Sequence, residues 1–113
     1  MTNAKRLKPD SDIFVTRVRV GKGVEYHVYP SPFIVRRDAS VIQFRNLSGQ
    51  NLEIDLRALP VAPNVLSLPA GATDIVALND PAAGLYEYEV LVPDRDVFAT
   101  GGSSPKVIID LTP

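Results

Sequence analysis

The stretch GLYEYEVLVPD, residues 84–94, decides the fold class of this chain. Large apolar and aromatic side chains occupy every second position, and glutamates occupy two of the positions between them: Tyr86, Tyr88, Val90 and Val92 against Glu87 and Glu89. Alternation with a period of two is typical of a β-strand that buries one face and exposes the other. The stretch therefore predicts a half-buried strand whose glutamates lie on the exposed face.

The same alternation recurs along the 113 residues, with turn residues between the alternating segments. It predicts about eight short strands and no helix. Short strands with turn residues at this spacing are typical of an all-β sandwich or barrel. Two stretches rich in proline and glycine interrupt the pattern. Residues 57–72 predict a long loop with one helical turn and a short strand at VLSL, and residues 93–105 predict a second loop.

The N-terminal part predicts a polar arm followed by a β-hairpin. Residues 1–11 are polar and basic and are expected to be a flexible arm. The segments DIFVTRVRV and VEYHVY both alternate, and the GKG between them suits a tight turn because glycine tolerates positive φ. Because no linker interrupts the chain after the arm, residues 12–113 are expected to form a single domain.

Composition excludes several classes of protein. The formal net charge is −1, which gives no electrostatic case for nucleic acid. The chain has no cysteine, so disulfides, thiolate nucleophiles and cysteine-ligated metals are excluded. No apolar run is long enough for membrane insertion, and none follows the basic N terminus as a secretory signal requires. The expected location is therefore cytoplasmic, or outside the cell if a signal had been cleaved.

Four segments together resemble the cupredoxin family over residues 24–111. FIVRRDASVIQFRNLSGQNLEIDL contains the family's aromatic-x-Asn pattern at Phe44 and Asn46, and LPAGATDIVAL is similar to its Pro-x-Gly turn and the strand after it. AGLYEYEV resembles its Gly-x-Tyr-x-Tyr-x-Cys strand, and GGSSPKVIIDL lies where its last strand runs. The resemblance implies a Greek-key β-sandwich, to which the N-terminal hairpin is an addition.

The resemblance also shows which copper ligands this chain lacks. It puts Val90 at the position of the thiolate ligand and the first histidine ligand at Gln50 or Asn51, with strand parity favouring Gln50. The second histidine and the axial methionine would come from residues 93–105, which contain neither. A type-1 copper centre needs a soft thiolate and two imidazoles. The sequence therefore predicts no copper, no other metal and no cofactor, with Val90 a core residue.

Candidate catalytic residues are few. The single histidine, His27, shares a strand face with Glu25, and the chain has no G-x-S-x-G turn for a nucleophile. Two carboxylate pairs, Glu53 with Asp55 and Glu87 with Glu89, each share a strand face. A glycosidase-like pair is conceivable, but a solvated sheet face is favoured. No catalytic residue is predicted.

The sequence favours a non-catalytic binding or assembly module whose partner is another protein or a second copy. Charged residues predicted on exposed strand faces are the interaction candidates: Arg17, Arg19, Glu25, His27 and Arg45. The arginines either form a patch for an acidic partner or pair with Glu25, Glu53 or Glu87, and the balanced total charge favours pairing. The alternative is a small-ligand protein that holds sugar or lipid between LSGQN, VPDRD and ATGGS, at the end where cupredoxins bind copper.

Overall fold

The computed structural model describes residues 12–36, 39–100 and 104–110 and contains, within them, twelve strands and no helix. The predicted arm, residues 1–11, lies outside the described residues, as does part of ATGGS. The strands are β1 (Asp12–Val20), β2 (Gly23–Tyr29), β3 (Phe33–Arg36), β4 (Val41–Leu47), β5 (Leu52–Asp55), β6 (Val61–Ala62), β7 (Val65–Leu68), β8 (Thr73–Leu78), β9 (Gly84–Glu87), β10 (Glu89–Val92), β11 (Val97–Ala99) and β12 (Lys106–Asp110).

The strands form two layers. One layer is a five-stranded sheet with the order β2-β1-β4-β8-β6. The other contains a four-stranded sheet, β11-β10-β5-β7, and a three-stranded sheet, β3-β12-β9. Strands β1 and β4 pair in parallel, as do β3 and β12. Parallel neighbours cannot be joined by a hairpin, so the chain passes through the other layer between the two strands of each pair. The predicted all-β sandwich is confirmed.

The predicted N-terminal hairpin is present and belongs to the five-stranded sheet. Strands β1 and β2 pair antiparallel, with Val20 opposite Gly23, and Gly21 in the two-residue turn has a φ of 59°. A type II′ turn requires that conformation at its first central position. On its other side β1 pairs with β4, so the hairpin contributes to the core of the sandwich. That it is an addition to the family pattern stays a prediction.

Three details of the strand prediction were wrong. The predicted strand LYEYEVLV is broken into β9 and β10 at Tyr88, whose N–H donates to the carbonyl of Pro105 at 3.1 Å. The predicted loop at residues 93–105 contains β11, which is too short to show a period in sequence. Residues 57–72 contain β6 as well as β7 and no helical turn. With β3 as a further short strand, twelve strands replace the predicted number of about eight.

The core lies between the layers and follows the predicted alternation. Val90 and Phe44 are fully buried, and Glu87 and Glu89 are exposed as predicted. The largest fully buried side chains come from both layers: Phe44, Ile13, Ile42, Leu52, Ile54, Leu56, Leu68 and Ile109. In β1 burial ends at Val15, and all of residues 17–25 are exposed. We call residues 17–25 the hairpin end.

Candidate functional site

Asn46 organises the end of the sandwich where the resemblance places copper. Its side-chain amide donates to the carbonyls of Gln50 (2.7 Å), Leu68 (2.9 Å) and Pro69 (3.0 Å). Its Oδ1 accepts from the backbone N–H (3.0 Å) and hydroxyl (2.6 Å) of Ser48. The side chain is fully buried and joins the end of β4 to the following turn and to the end of β7. This amide therefore satisfies backbone groups that would otherwise be buried without partners.

Val90 lies in β10, and Gln50 and Asn51, the two alternatives for the first histidine ligand, immediately precede β5. Antiparallel pairing puts Val90 opposite Ile54. Asn51 uses its Oδ1 to accept the N–H of Ala70 at 3.2 Å. Val90 is 0% exposed and packs in the core, as the sequence indicated.

Metal-binding groups do not cluster in the part of the chain that the structure describes. Glu25 and His27, the pair considered for catalysis or metal binding, contact each other: Glu25 Oε1 lies 3.0 Å from His27 Nε2. Neither is enclosed, since their side chains are 57% and 38% exposed. The pair lies on an open sheet surface with no third ligand beside it among residues 12–36, 39–100 and 104–110. It offers no enclosed site for a reaction.

The outward surface of the five-stranded sheet carries exposed apolar residues from four strands, and we call it the outer face. Strand registers place on it half of the strongly exposed large apolar residues: Val18, Val20, Tyr29, Val41, Leu47 and Ile75. Tyr29 is 67% exposed and Leu47 is 54% exposed. Apolar residues gathered on one surface mark a contact site more often than scattered ones do.

A polar group lies among these residues on the outer face. Arg45 donates to Asp12 Oδ2 at 3.2 Å, and Gln43 donates to Asp12 Oδ1 at 2.8 Å. The Arg45 guanidinium also lies 5.8 Å from the centre of the Phe14 ring. Arg45 is therefore paired with Asp12, a partner that sequence reasoning did not consider.

The predicted arginine cluster is divided between two sides of the hairpin sheet. Arg17 pairs in register with Tyr26 and Arg19 with Val24, whereas Arg45 lies on the outer face with Glu25 and His27. Within the described residues the side chains of Arg17 and Arg19 form no hydrogen bond and no ion pair. The predicted pairing of these two arginines with Glu25, Glu53 or Glu87 is absent from the same residues.

A groove on the opposite layer brings together residues that sequence reasoning treated as an ordinary solvated face. We call it the acidic groove. It has a volume of about 420 Å³ and is lined by Asp55, Arg57, Ala58, Glu87, Tyr88, Glu89 and Ser104. Its three carboxylates and one guanidinium give a net charge of −2. The signal in sequence was the two i, i+2 carboxylate pairs, and antiparallel pairing of β5 with β10 puts Asp55 opposite Glu89.

Asp55 and Arg57 form the strongest ion pair in this groove. Arg57 donates to Asp55 from Nη2 at 2.7 Å, from Nε at 3.0 Å and from the backbone at 3.1 Å. These hydrogen bonds lower the pKa of Asp55 from 3.8 to about 2, and Asp55 raises the pKa of Arg57. A carboxyl group whose pKa is lower in the folded than in the unfolded chain stabilises the fold at pH values above its unfolded pKa. The stabilisation from Asp55 is therefore lost as the pH falls from about 4 to about 2.

We expect Arg57→Gln to return the pKa of Asp55 towards 3.8, because glutamine removes the charged donor. A carboxyl NMR titration of both proteins measures this directly. Arg95→Gln, a change at an exposed arginine in the turn after β10, is the control and should leave the pKa of Asp55 near 2. An unchanged Asp55 pKa in Arg57→Gln would contradict the assignment.

Tyr88 and Tyr86 differ in whether their hydroxyls have a partner. The Tyr88 hydroxyl is buried without a hydrogen bond, its ring meets Phe44 edge-on at 6.0 Å, and burial raises its pKa. The Tyr86 hydroxyl donates to the carbonyl of Ala82 at 2.7 Å. An unsatisfied buried hydroxyl opposes folding, whereas a bonded one contributes.

We expect Tyr88→Phe to leave stability unchanged or raise it by about 1 kcal/mol, because the change removes an unsatisfied polar group. The matched variant Tyr86→Phe should lose about 0.5–1.5 kcal/mol with its hydrogen bond. Urea unfolding of both variants gives the comparison. A loss in Tyr88→Phe equal to that in Tyr86→Phe would mean that the Tyr88 hydroxyl has a partner in solution.

Comparison with known proteins assigns the fold. No family profile matches the chain and no curated protein matches it. Among solved structures, a multicopper oxidase from Campylobacter jejuni is similar at 16% identity and a TM-score of 0.58, over 90% of this chain and 26% of that one. A multi-copper oxidase from Pseudomonas thermotolerans is similar at 10% identity and 0.57, over 90% and 29%. A Cu-containing nitrite reductase from Thermus scotoductus is similar at 13% identity and 0.50, over 90% and 27%.

These neighbours define the class as a β-sandwich of the kind found in copper oxidases and copper nitrite reductases. The chain itself has a cupredoxin-like fold, and the resemblance seen in sequence is confirmed. It spans between a quarter and a third of the length of these three structures. It contains no cysteine, so it lacks the thiolate ligand of a type-1 copper centre. No helix in the described part is long and apolar enough to cross a membrane.

Proposed function

We propose that this copper-free cupredoxin-like chain is a non-catalytic module that binds another protein through its outer face. The observation that carries the proposal is that several strands place exposed apolar residues on that face. The opposite face of the same strands is already buried in the core. Burying such residues against a partner removes apolar surface from water at about 25 cal/mol per Å². While these residues stay exposed to water, the chain does not gain this free energy.

The polar residues of the outer face fit a specific contact. Asp12 and Arg45 neutralise each other, and Glu25 lies beside His27, so few isolated charges would have to lose water on binding. The ring of Tyr29 is the most exposed of the large apolar and aromatic side chains among the described residues. Aromatic side chains are common binding anchors at protein interfaces. Three interaction candidates from the sequence, Glu25, His27 and Arg45, therefore belong to this surface.

Site-specific photo-crosslinking tests this proposal. Tyr29 is replaced by photoreactive benzoylphenylalanine, and the control carries the same group at Ile34, which is 53% exposed on the opposite layer. Both proteins are expressed in the source cells and irradiated. We expect one discrete crosslinked protein from position 29 and none from position 34. No adduct at position 29, or the same adducts at both positions, would contradict binding through the outer face.

The alternative, a sugar or lipid ligand at the copper end, rests on the sequence argument alone. Asn46, Ser48 and Asn51 at that end are engaged in structural hydrogen bonds. A thermal-shift panel of sugars and lipids tests it, and stabilisation by one compound that is abolished by Gln50→Ala would support it.

A further inference from the structure

The hairpin end carries an unneutralised positive charge. Arg17, Arg19 and Lys22 lie on it with a single carboxylate, Glu25, so its formal net charge is +2. Glu25 is directed to His27, and none of the three cations has an ion pair within the described chain. Arg17 and Arg19 are two residues apart on one strand face, which places them about 7 Å from each other. An anion from outside the chain would relieve their mutual repulsion.

The acidic groove has the complementary charge and the same spacing in sequence. Its lining residues have a net charge of −2. Arg57 is bonded to Asp55 and is attracted by Glu89, and Lys106 lies opposite Glu87 in register, but neither glutamate forms an ion pair within the described residues. Glu87 and Glu89 are also two residues apart with both side chains exposed, on either side of the break at Tyr88, so an extended chain would separate them by at most about 7 Å. Guanidinium groups bind carboxylates with directed paired hydrogen bonds, and a volume of about 420 Å³ accommodates such a side chain.

We propose that the hairpin end of one copy docks into the acidic groove of a second copy, with Arg17 and Arg19 facing Glu87 and Glu89. A second copy is the favoured occupant because this chain carries both halves of the contact, with opposite net charges and the same spacing in sequence. The two halves lie on different layers, and no ion pair joins them in the described residues of one chain. The contact is therefore heterologous, with different surfaces on its two sides.

This contact goes beyond the proposed function, because Arg17 and Arg19 lie on the side of the hairpin opposite to the outer face. The two proposals can therefore fail separately. Crosslinking from position 29 tests the outer face whether or not the chain self-associates. Light scattering tests the hairpin contact whether or not another protein binds the outer face.

The first measurement is light scattering behind a sizing column at two protein concentrations. We expect a mass above the monomer that grows with concentration in about 0.1 M salt, where charges act over about 10 Å. In about 1 M salt, where that range is about 3 Å, we expect association to weaken on the order of tenfold. A monomer at both concentrations in the lower salt would overturn the proposal. Association that is insensitive to salt would overturn it as well.

Charge reversal identifies the surfaces. Arg17→Glu/Arg19→Glu and Glu87→Arg/Glu89→Arg should each be monomeric, because each variant opposes like charges. An equimolar mixture should associate again through contacts between the two variants, because the hairpin end of each variant has the opposite charge to the groove of the other. If the mixture stays monomeric although the wild type associates, the contact lies elsewhere. Thermal unfolding checks folding, and the milder pair Arg17→Ala/Arg19→Ala and Glu87→Gln/Glu89→Gln replaces any variant that fails to fold.

The control is Arg95→Glu, which reverses an exposed charge outside both surfaces. It should associate like the wild type. If it abolishes association as the Arg17 and Arg19 variant does, net charge and not the hairpin contact controls the mass, and the proposal is overturned.

Discussion

Replacing Asn46 by alanine is expected to destabilise the fold by about 3–4 kcal/mol, which is a large part of the stability of a domain of this size. The change leaves the buried carbonyl of Leu68 and its neighbours without the amide that satisfies them, and it removes the acceptor of the Ser48 hydroxyl. Removing one partner of a buried hydrogen bond costs the full desolvation of the group left behind. Because several bonds are lost together, their costs accumulate.

Urea unfolding measures this effect, with Asn51→Ala as the matched control. Asn51 is an exposed asparagine five residues away whose side chain makes one hydrogen bond, to the N–H of Ala70. We expect that control to lose no more than about 1 kcal/mol. Equal losses in the two variants would show that the Asn46 network contributes no more than one exposed bond. Unchanged slopes in urea would confirm that the unfolded state is the same.

The second large effect is expected for Phe44→Ala, at about 3–5 kcal/mol. Phe44, on β4, is 0% exposed and is the largest fully buried side chain among the described residues. Its ring meets the ring of Tyr88 edge-on across the layers. Truncation removes apolar surface from the core and leaves a cavity between sheets that cannot collapse freely. The loss should also free the ring of Tyr88, which near-ultraviolet circular dichroism detects.

The control for this variant is Phe98→Ala. Phe98 lies on β11 with 55% of its surface exposed, so truncation leaves no cavity, and we expect a change within about 0.5 kcal/mol. A loss below about 1.5 kcal/mol in Phe44→Ala would mean that the two layers close around the missing ring. That result would contradict a tightly packed core at this position.

Much of the fold was predictable because alternation records burial directly. Tyr88 and Val90 were assigned to the core and Glu87 and Glu89 to the surface from position alone, and the structure agrees. The break at Tyr88 was not predictable, since it depends on a backbone hydrogen bond to Pro105, seventeen residues further along the chain. Strand β11 was missed because three residues between turn residues show no period.

The candidate surfaces were less predictable than the fold. The sequence assigned Arg17 and Arg45 to exposed positions, but only pairing between strands shows that they lie on opposite sides of one sheet. Likewise, Glu87 and Glu89 were interpreted as a solvated face, and the neighbouring strand β5 is what turns them into the wall of a groove. Distances between strands depend on register, which a single sequence does not contain.

The sequence by itself determined that this chain folds as an all-β sandwich, that Val90 is a core residue, and that no thiolate can bind copper. Those conclusions depend on the period of burial and on residue types, which are local properties. Tertiary structure alone decided that Val90 lies opposite Ile54 in the neighbouring strand. It also decided that apolar residues from separate strands share the outer face and that carboxylates from separate strands line one groove, because strand pairing brings together residues that are far apart in the chain.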